Sequence, residues 1–384
     1  MNFSPSTIYL HKDALLNNIE FIQRTIGDEV QLSSVVKGNA YGHGIEAFVP
    51  MAESCGIRHF SVFSAHEALR VFNVKSPDTH IMIMGYLSEE EIEWAVQNDV
   101  SFFVFDTFRL EKAAEKASEI GSTARIHIEV ETGMNRTGFD ESQFPIVAEI
   151  MQRNLEFLRF EGICTHYAGA ESIANYFRVT QQIRRFNRAY RWFEKRGLKA
   201  EKKHTACSAA MMNFPKTRMD MVRIGILQYG LWPSRETWVA HVNKLKDKTD
   251  PLQRVIAWKS TVMDIKKVPS GEFVGYGTSY MAEEDMYVAS VPVGYADGYA
   301  RSLSNQGRVL INGSRMAIAG LVNMSMLLIE VPMGTDVNIG DEVILIGDEG
   351  ELSISVASFG ELSNQLNYEL LTRLPSGIPR KIIA

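Results

Sequence analysis

The 384-residue chain has no stretch of about 20 consecutive apolar residues, and Met1 is not followed by a basic, apolar leader. Neither a membrane span nor a secretory signal is expected. Cysteine is scarce: Cys55, Cys164 and Cys207 are widely spaced and odd in number. That argues against a disulfide framework and a paired-cysteine zinc site, and makes a reducing cytoplasm the expected compartment. Positive charge is not in excess either. A net charge of -6 gives no general attraction to nucleic acid or an anionic membrane, so neither is expected as a partner. No Gly-x-Gly-x-x-Gly turn follows the first strand-like run, which argues against a dinucleotide-binding doubly wound sheet. What remains is the composition of a globular protein, 45% hydrophobic and 22% charged, long enough for two domains.

Short apolar runs at residues 32–37, 60–64, 80–85, 102–106, 125–130, 162–166, 203–208 and 222–229 alternate with helical patterns. The helices are expected at 67–72, 89–97, 107–120, 141–153 and 172–195, after an earlier one at 13–25. Eight strands alternating with helices predict an α/β fold, a (β/α)8 TIM barrel, over residues 1–235. The pattern then changes. Residues 240–251 are basic and turn-prone, a solvated linker. Strands are expected at 255–264, 287–293, 308–311, 316–321, 326–331 and 342–346, with Asn312-Gly313 as a hairpin turn and one helix at 355–365. Residues 236–384 are thus a mostly-β C-terminal domain.

The chemistry starts at Lys37. Val35-Val36 runs straight into it, and Gly38, Ala40, Gly42 and Gly44 follow, so a buried strand delivers one amine to an uncrowded loop. A desolvated amine with a lowered pKa suits a Schiff base with a carbonyl; a strand-end lysine reaching back to water is the plainer alternative. Barrel active sites lie at the C-terminal ends of the strands, and Lys37, Asp106, Glu131, His166, Ser208 and Arg223 collect there. Ser208 and Gly225–Ile226 fall where barrels often bind phosphate. Lys37, with a phosphate seat on the far side of the mouth, is the layout that pyridoxal 5'-phosphate needs. Arg223 refines this. A guanidinium facing the pyridine nitrogen accepts no proton, which weakens the electron sink and favours reprotonation at Cα over transamination.

These residues sit in motifs that resemble the pyridoxal-phosphate-dependent alanine racemase family across nearly the whole chain. The motifs are Val36-Lys37-Gly38-Asn39-Ala40-Tyr41-Gly42-His43-Gly44, Glu131-Thr132-Gly133-Met134-Asn135-Arg136-Thr137-Gly138, Gly162-Ile163-Cys164-Thr165-His166-Tyr167-Ala168 and Val222-Arg223-Ile224-Gly225. Tyr276-Gly277, Gly294-Tyr295-Ala296-Asp297-Gly298-Tyr299 and Tyr368-Glu369-Leu370-Leu371 follow in order. The resemblance implies an isomerase interconverting L- and D-alanine for peptidoglycan, working as a homodimer with a shared active site. It implies Lys37 as Schiff-base lysine and one base, and Tyr276 of the second subunit as the opposing base. His166 and Arg223 resemble the pair that connects to that tyrosine. Arg136 resembles the contact to the cofactor's ring oxygen and the substrate. Tyr41, Ser208, Gly225, Ile226 and Tyr368 resemble phosphate contacts, Met324 a backbone contact to the substrate carboxylate, and Tyr295 an entrance residue. The family also pairs residues 1–10, as a strand, with the C-terminal domain.

Three positions depart from the family pattern. Glu129 stands where many members carry a carbamylated lysine, and as a ready carboxylate it is expected to orient Arg136 without carbon dioxide. Asn323-Met324-Ser325 replaces Cys-Met-Asp at the substrate entrance, which keeps open a racemase of broader range, serine included. Cys207 precedes Ser208 where asparagine is common, and nothing explains that change. A non-catalytic cofactor carrier is the rival from another class, and the C-terminal domain with Tyr276 argues against it.

Overall fold

The computed structural model describes residues 4–357, 359 and 367–384. They divide into two compact units, each discontinuous in sequence: Ala14–Lys37 with Val49–Gln253, and Met1–Asp13 with Gly38–Phe48 and Arg254–Ala384.

The first unit holds the barrel. Numbering strands from β1 (Ser6–His11), its strands are β2 (Gln31–Val35), β3 (His59–Val62), β4 (His80–Ile83), β5 (Ser101–Val104), β6 (Ala124–Glu129), β7 (Leu158–Cys164), β8 (Lys202–His204) and β9 (Met221–Ile224). All neighbours are parallel, in the order β8-β7-β6-β5-β4-β3-β2-β9. The ring closes where the Arg223 amide donates to Ala206 O at 2.9 Å and that of Asp220 to Lys203 O at 3.1 Å. Every expected strand is present. The helices Glu89–Gln97 and Thr107–Ile120 also match their expected spans, each started by a side chain that caps it, Ser88 and Asp106. Residues 240–251, expected as a linker, begin inside the helix Arg235–Val242 and belong to the barrel unit, which extends to Gln253, whose amide donates to Asn18 Oδ1 at 2.8 Å.

The second unit is β-rich. Its remaining strands are β10 (Ile256–Thr261), β11 (Asp264–Val268), β12 (Met286–Val291), β13 (Arg308–Ile311), β14 (Ser314–Ala317), β15 (Leu327–Pro332), β16 (Glu342–Glu349), β17 (Leu352–Ile354) and β18 (Arg380–Ile383). One sheet runs β14-β13-β16-β10-β1-β18, and a three-stranded sheet runs β11-β12-β15. β1 pairs antiparallel with β10 and parallel with β18. Asn312 and Gly313, at φ of +48° and +70°, turn β13 into β14. The helix expected at 355–365 lies, beyond its first residues, outside the described residues.

After Lys37 the chain makes one left-handed turn. Residues 38–41 have φ of +62°, +56°, +54° and +50°. Three of these carry a Cβ, and each costs about 1–2 kcal/mol in that region. Neighbours hold the turn in place: Arg380 donates to the Gly42 carbonyl at 2.9 Å, and the Tyr41 and Tyr368 rings stand 6.1 Å apart, edge to face. A Cβ at Gly42, at φ +81°, would overlap the Leu371 carbonyl oxygen. Gly42→Ala is expected to destabilise by about 2 kcal/mol, read as a lowered urea midpoint at unchanged slope.

Candidate active site

β2 ends at Val35, and the Val35 carbonyl accepts from both the Gln228 amide at 3.1 Å and the Tyr229 hydroxyl at 2.9 Å. Gln228 is wholly buried and also donates to Ile224 O at 3.0 Å, so one side chain ties the lysine strand to the end of β9. Beyond this clamp, solvent still reaches the Lys37 side chain, as a reactive amine requires. Enough protein surrounds it for burial to lower its pKa; the cations Arg136 and Arg223 add to that, and Glu67 and Cys207 oppose it.

β2 and β9 are direct neighbours, with Ser34 opposite Ile224. The expected phosphate seat is therefore beside Lys37 and not across the mouth, because closing the ring brings its first and eighth strands together. At that seat Ser208 and Gly225 are buried, and the Gly225 amide donates to Ser208 Oγ at 3.2 Å. This leaves the Ser208 O–H to donate elsewhere. The Ile226 amide, at the start of the turn Ile226–Tyr229, has no partner among the described residues. An amine on one strand and open O–H and N–H donors after its neighbour fit pyridoxal phosphate in both of its anchoring groups.

Arg223 lies inside β9 and is buried. Its guanidinium donates to His204 Nδ1, to His204 O at 2.8 Å and to Thr165 O at 2.8 Å. His166, just past β7, is kept neutral: burial pushes its pKa down to about 3, assisted by Arg223 and Arg136. Arg136 is exposed and makes no hydrogen bond among the described residues. Glu129 does not orient it. The Glu129 carboxylate accepts from Thr137 Oγ1 at 2.8 Å, and burial raises its pKa against the pull of Thr137, Arg223 and Arg136.

Two polar strand ends are structural. Asp106 Oδ1 accepts from the Arg109 amide at 2.8 Å and so starts a helix. The Glu131 carboxylate accepts the amides of Gly133 and Asn135, which shapes the loop carrying Arg136.

The second unit holds the remaining candidates. Tyr276 is 72% exposed. Tyr295 and Met324 are joined through backbone: the Tyr295 amide donates to Asn323 O at 3.0 Å and that of Ala296 to Met324 O at 2.9 Å. The Met324 amide itself has no partner among the described residues, so it is available to a carboxylate.

Sequence reasoning missed the side chains behind Arg223: His59, His127, His204, Glu161 and Arg125, all buried. A signal was present. β6 reads Ala-Arg-Ile-His-Ile-Glu, with polar residues at every second place in a buried strand.

The family profile described as "Alanine racemase, N-terminal domain" matches residues 10–233, and "Alanine racemase, C-terminal domain" matches 255–382. The chain is 34% identical to the alanine racemase of Methanococcus maripaludis, over 96% of this chain and 95% of that one. It is 32% identical to that of Leptospira interrogans, over 98% and 96%. Among solved structures, alanine racemase from Clostridium difficile 630 superposes with a TM-score of 0.90 at 27% identity, covering 99% of this chain and 96% of that one. The Bacillus anthracis alanine racemase with bound L-Ala-P gives a TM-score of 0.90 at 31% identity, covering 100% and 96%. With both domain profiles matched and relatives aligned end to end, the chain belongs to the alanine racemase family.

Proposed function

We propose that the protein interconverts L- and D-alanine with pyridoxal phosphate, as a cytoplasmic homodimer supplying D-alanine for peptidoglycan. The observation that carries this reading is the adjacency of Lys37, its pKa lowered, to the open O–H and N–H donors at Ser208 and Ile226. When bound, the cofactor supplies the electron sink that acidifies the Cα–H of an amino acid. Ser208 and Ile226, backed by Gly225, would hold its phosphate, and the family resemblance assigns further phosphate contacts to Tyr41 and Tyr368. Arg223 would meet the pyridine nitrogen as a permanent donor and, accepting no proton itself, would leave that nitrogen without one.

Racemisation needs a proton removed from one face and returned on the other, hence two bases. Lys37 Nζ serves one face, and its lowered pKa keeps more of it unprotonated. Tyr276 of the partner subunit serves the other. On the family resemblance, Arg136 would contact the cofactor's ring oxygen and the substrate side, the Met324 amide would take the substrate carboxylate, and Tyr295 would be an entrance residue. Support for a second copy comes from the mouth rim. Phe63, Tyr86, Phe108, Ile173 and Phe177 follow the ends of β3, β4, β5 and β7 and are 55–82% exposed, an apolar ring that a partner would cover.

The test is α-proton exchange in deuterated water. Wild type is expected to turn L-alanine into deuterated D-alanine. Tyr276→Phe should lose roughly 100-fold or more in the L-face reaction while retaining exchange on the D face. Absence of exchange with alanine, serine and lysine alike would leave a cofactor carrier as the better reading. Asn323 and Ser325 favour comparing serine with alanine in the same assay.

Glu129 carries its own prediction. Because a glutamate offers no amine to carbamylate, and its carboxylate holds Thr137 and not Arg136, activity in a sample stripped of carbon dioxide should stay unchanged on adding bicarbonate. Activity that recovers with bicarbonate would count against it.

A further inference from the structure

Behind Arg223 lies a set of buried groups that the proposed reaction leaves unused. His204 and His127 are wholly buried, and His204 Nε2 stands 2.9 Å from His127 Nδ1. The direction of this contact is fixed. A guanidinium only donates, so His204 Nδ1 must accept from Arg223, and the proton of the neutral ring sits on Nε2. That proton goes to His127 Nδ1, which places the His127 proton on Nε2, 3.9 Å from the Glu161 carboxylate. Both rings are kept uncharged first by burial, which lowers the His127 pKa to about 4 and that of His204 well below the usual histidine value. Gly162 makes the room: a Cβ there would overlap His127 Nδ1 and stand 2.9 Å from His204 Nε2. Phe103 closes the side, 6.2 Å from the His127 ring centre and 5.8 Å from that of His204.

We propose that His204 and His127 form a one-way hydrogen-bond chain that holds the Arg223 guanidinium in place for the cofactor ring, making both histidines positioning residues. The role rests on the racemase reading; the chain itself does not. Arg223 has the carbonyls of His204 and Thr165 as its other firm acceptors, and both are backbone. His204 Nδ1 is therefore the side-chain contact that a mutation can remove.

Two measurements separate the chain from the activity. In protein labelled with 15N-histidine, with and without cofactor, both rings are expected to carry the proton on Nε2 and none on Nδ1 at neutral pH. A proton on Nδ1 of either ring, or a charged ring, overturns the chain. For the role, His204→Asn keeps an acceptor near the place of Nδ1, and His204→Leu removes it at similar bulk. His204→Leu is expected to lower kcat roughly 10- to 100-fold, the worth of one hydrogen bond to a charged group. KM for L-alanine should stay within about twofold, the mark of an interaction that does not serve ground-state binding. The pH midpoint of the bound cofactor's absorption should also move, and His204→Asn should recover most of both. Equal losses in the two variants with an unmoved midpoint overturn the positioning role. A wild type that racemises no amino acid removes that role with the racemase reading, whereas the nitrogen protonation pattern still decides the chain.

Discussion

Lys37→Ala is expected to lower racemisation roughly 10,000-fold or more, since the proposed function makes the residue both the cofactor's anchor and one of the two proton carriers. The measurement is D-alanine formed from L-alanine, resolved by chiral chromatography. The visible absorption of lysine-bound cofactor should vanish with it. Stability should not fall. The folded pKa of Lys37 lies below its unfolded value, with burial as the main cause and Arg136 next. Between those two values the unfolded chain binds more protons, so stability rises as pH climbs through that window. Below it the charged lysine costs the fold free energy, and alanine removes that cost. An unchanged or raised melting temperature together with lost activity assigns the lysine to function. A large drop in melting temperature would assign it to packing instead.

The reason Lys37 could be read from the sequence is general. A cation at the end of a β-branched run, followed by small residues, has few structural uses, and the neighbouring strands were legible by their apolar runs between helical patterns. Other features were hidden for identifiable reasons. β11, Asp264–Val268, carries Asp264, Lys266 and Lys267 along the edge of its small sheet, so it reads as polar loop, and the strand expected at 255–264 stops where it begins. The left-handed turn at 38–41 uses Asn39, Ala40 and Tyr41 where glycine would be expected, and its neighbours at Leu371 and Arg380 are over 300 residues away in sequence. The chain order of strands puts the phosphate seat across the mouth from Lys37, because it conceals which two strands meet when the ring closes. The family's carbamylated lysine at position 129 suggests Arg136 as the partner of Glu129, whereas the backbone brings Thr137 to it. Local pattern names the groups; closure and turn geometry decide their partners.

Glu161 is expected to matter most for stability, although it lies outside every motif used to read the sequence. It is 1% exposed and takes Arg125 on both oxygens, from Nε at 2.7 Å and Nη2 at 3.0 Å, with Lys202 Nζ at 3.3 Å. Arg125 also reaches Asp99 Oδ2 at 2.7 Å, on the surface. Glu161→Ala strands the buried Arg125 and is expected to cost about 3–5 kcal/mol, the usual penalty for leaving one partner of a buried pair uncompensated. The pH dependence separates charge from packing. Burial pushes the Glu161 carboxyl up, and Arg125 and its other neighbours more than reverse this, so its pKa is lowered. Its contribution is then fully present above the unfolded glutamate value of about 4.3 and lost as pH falls through the folded value. Urea unfolding of wild type and Glu161→Gln should therefore differ by a constant amount from about pH 6 upward, begin to converge below about pH 4, and meet only once pH falls below the lowered folded value. A difference that stays constant to low pH would mean that volume and hydrogen bonding, not the carboxylate charge, hold this end of the barrel together.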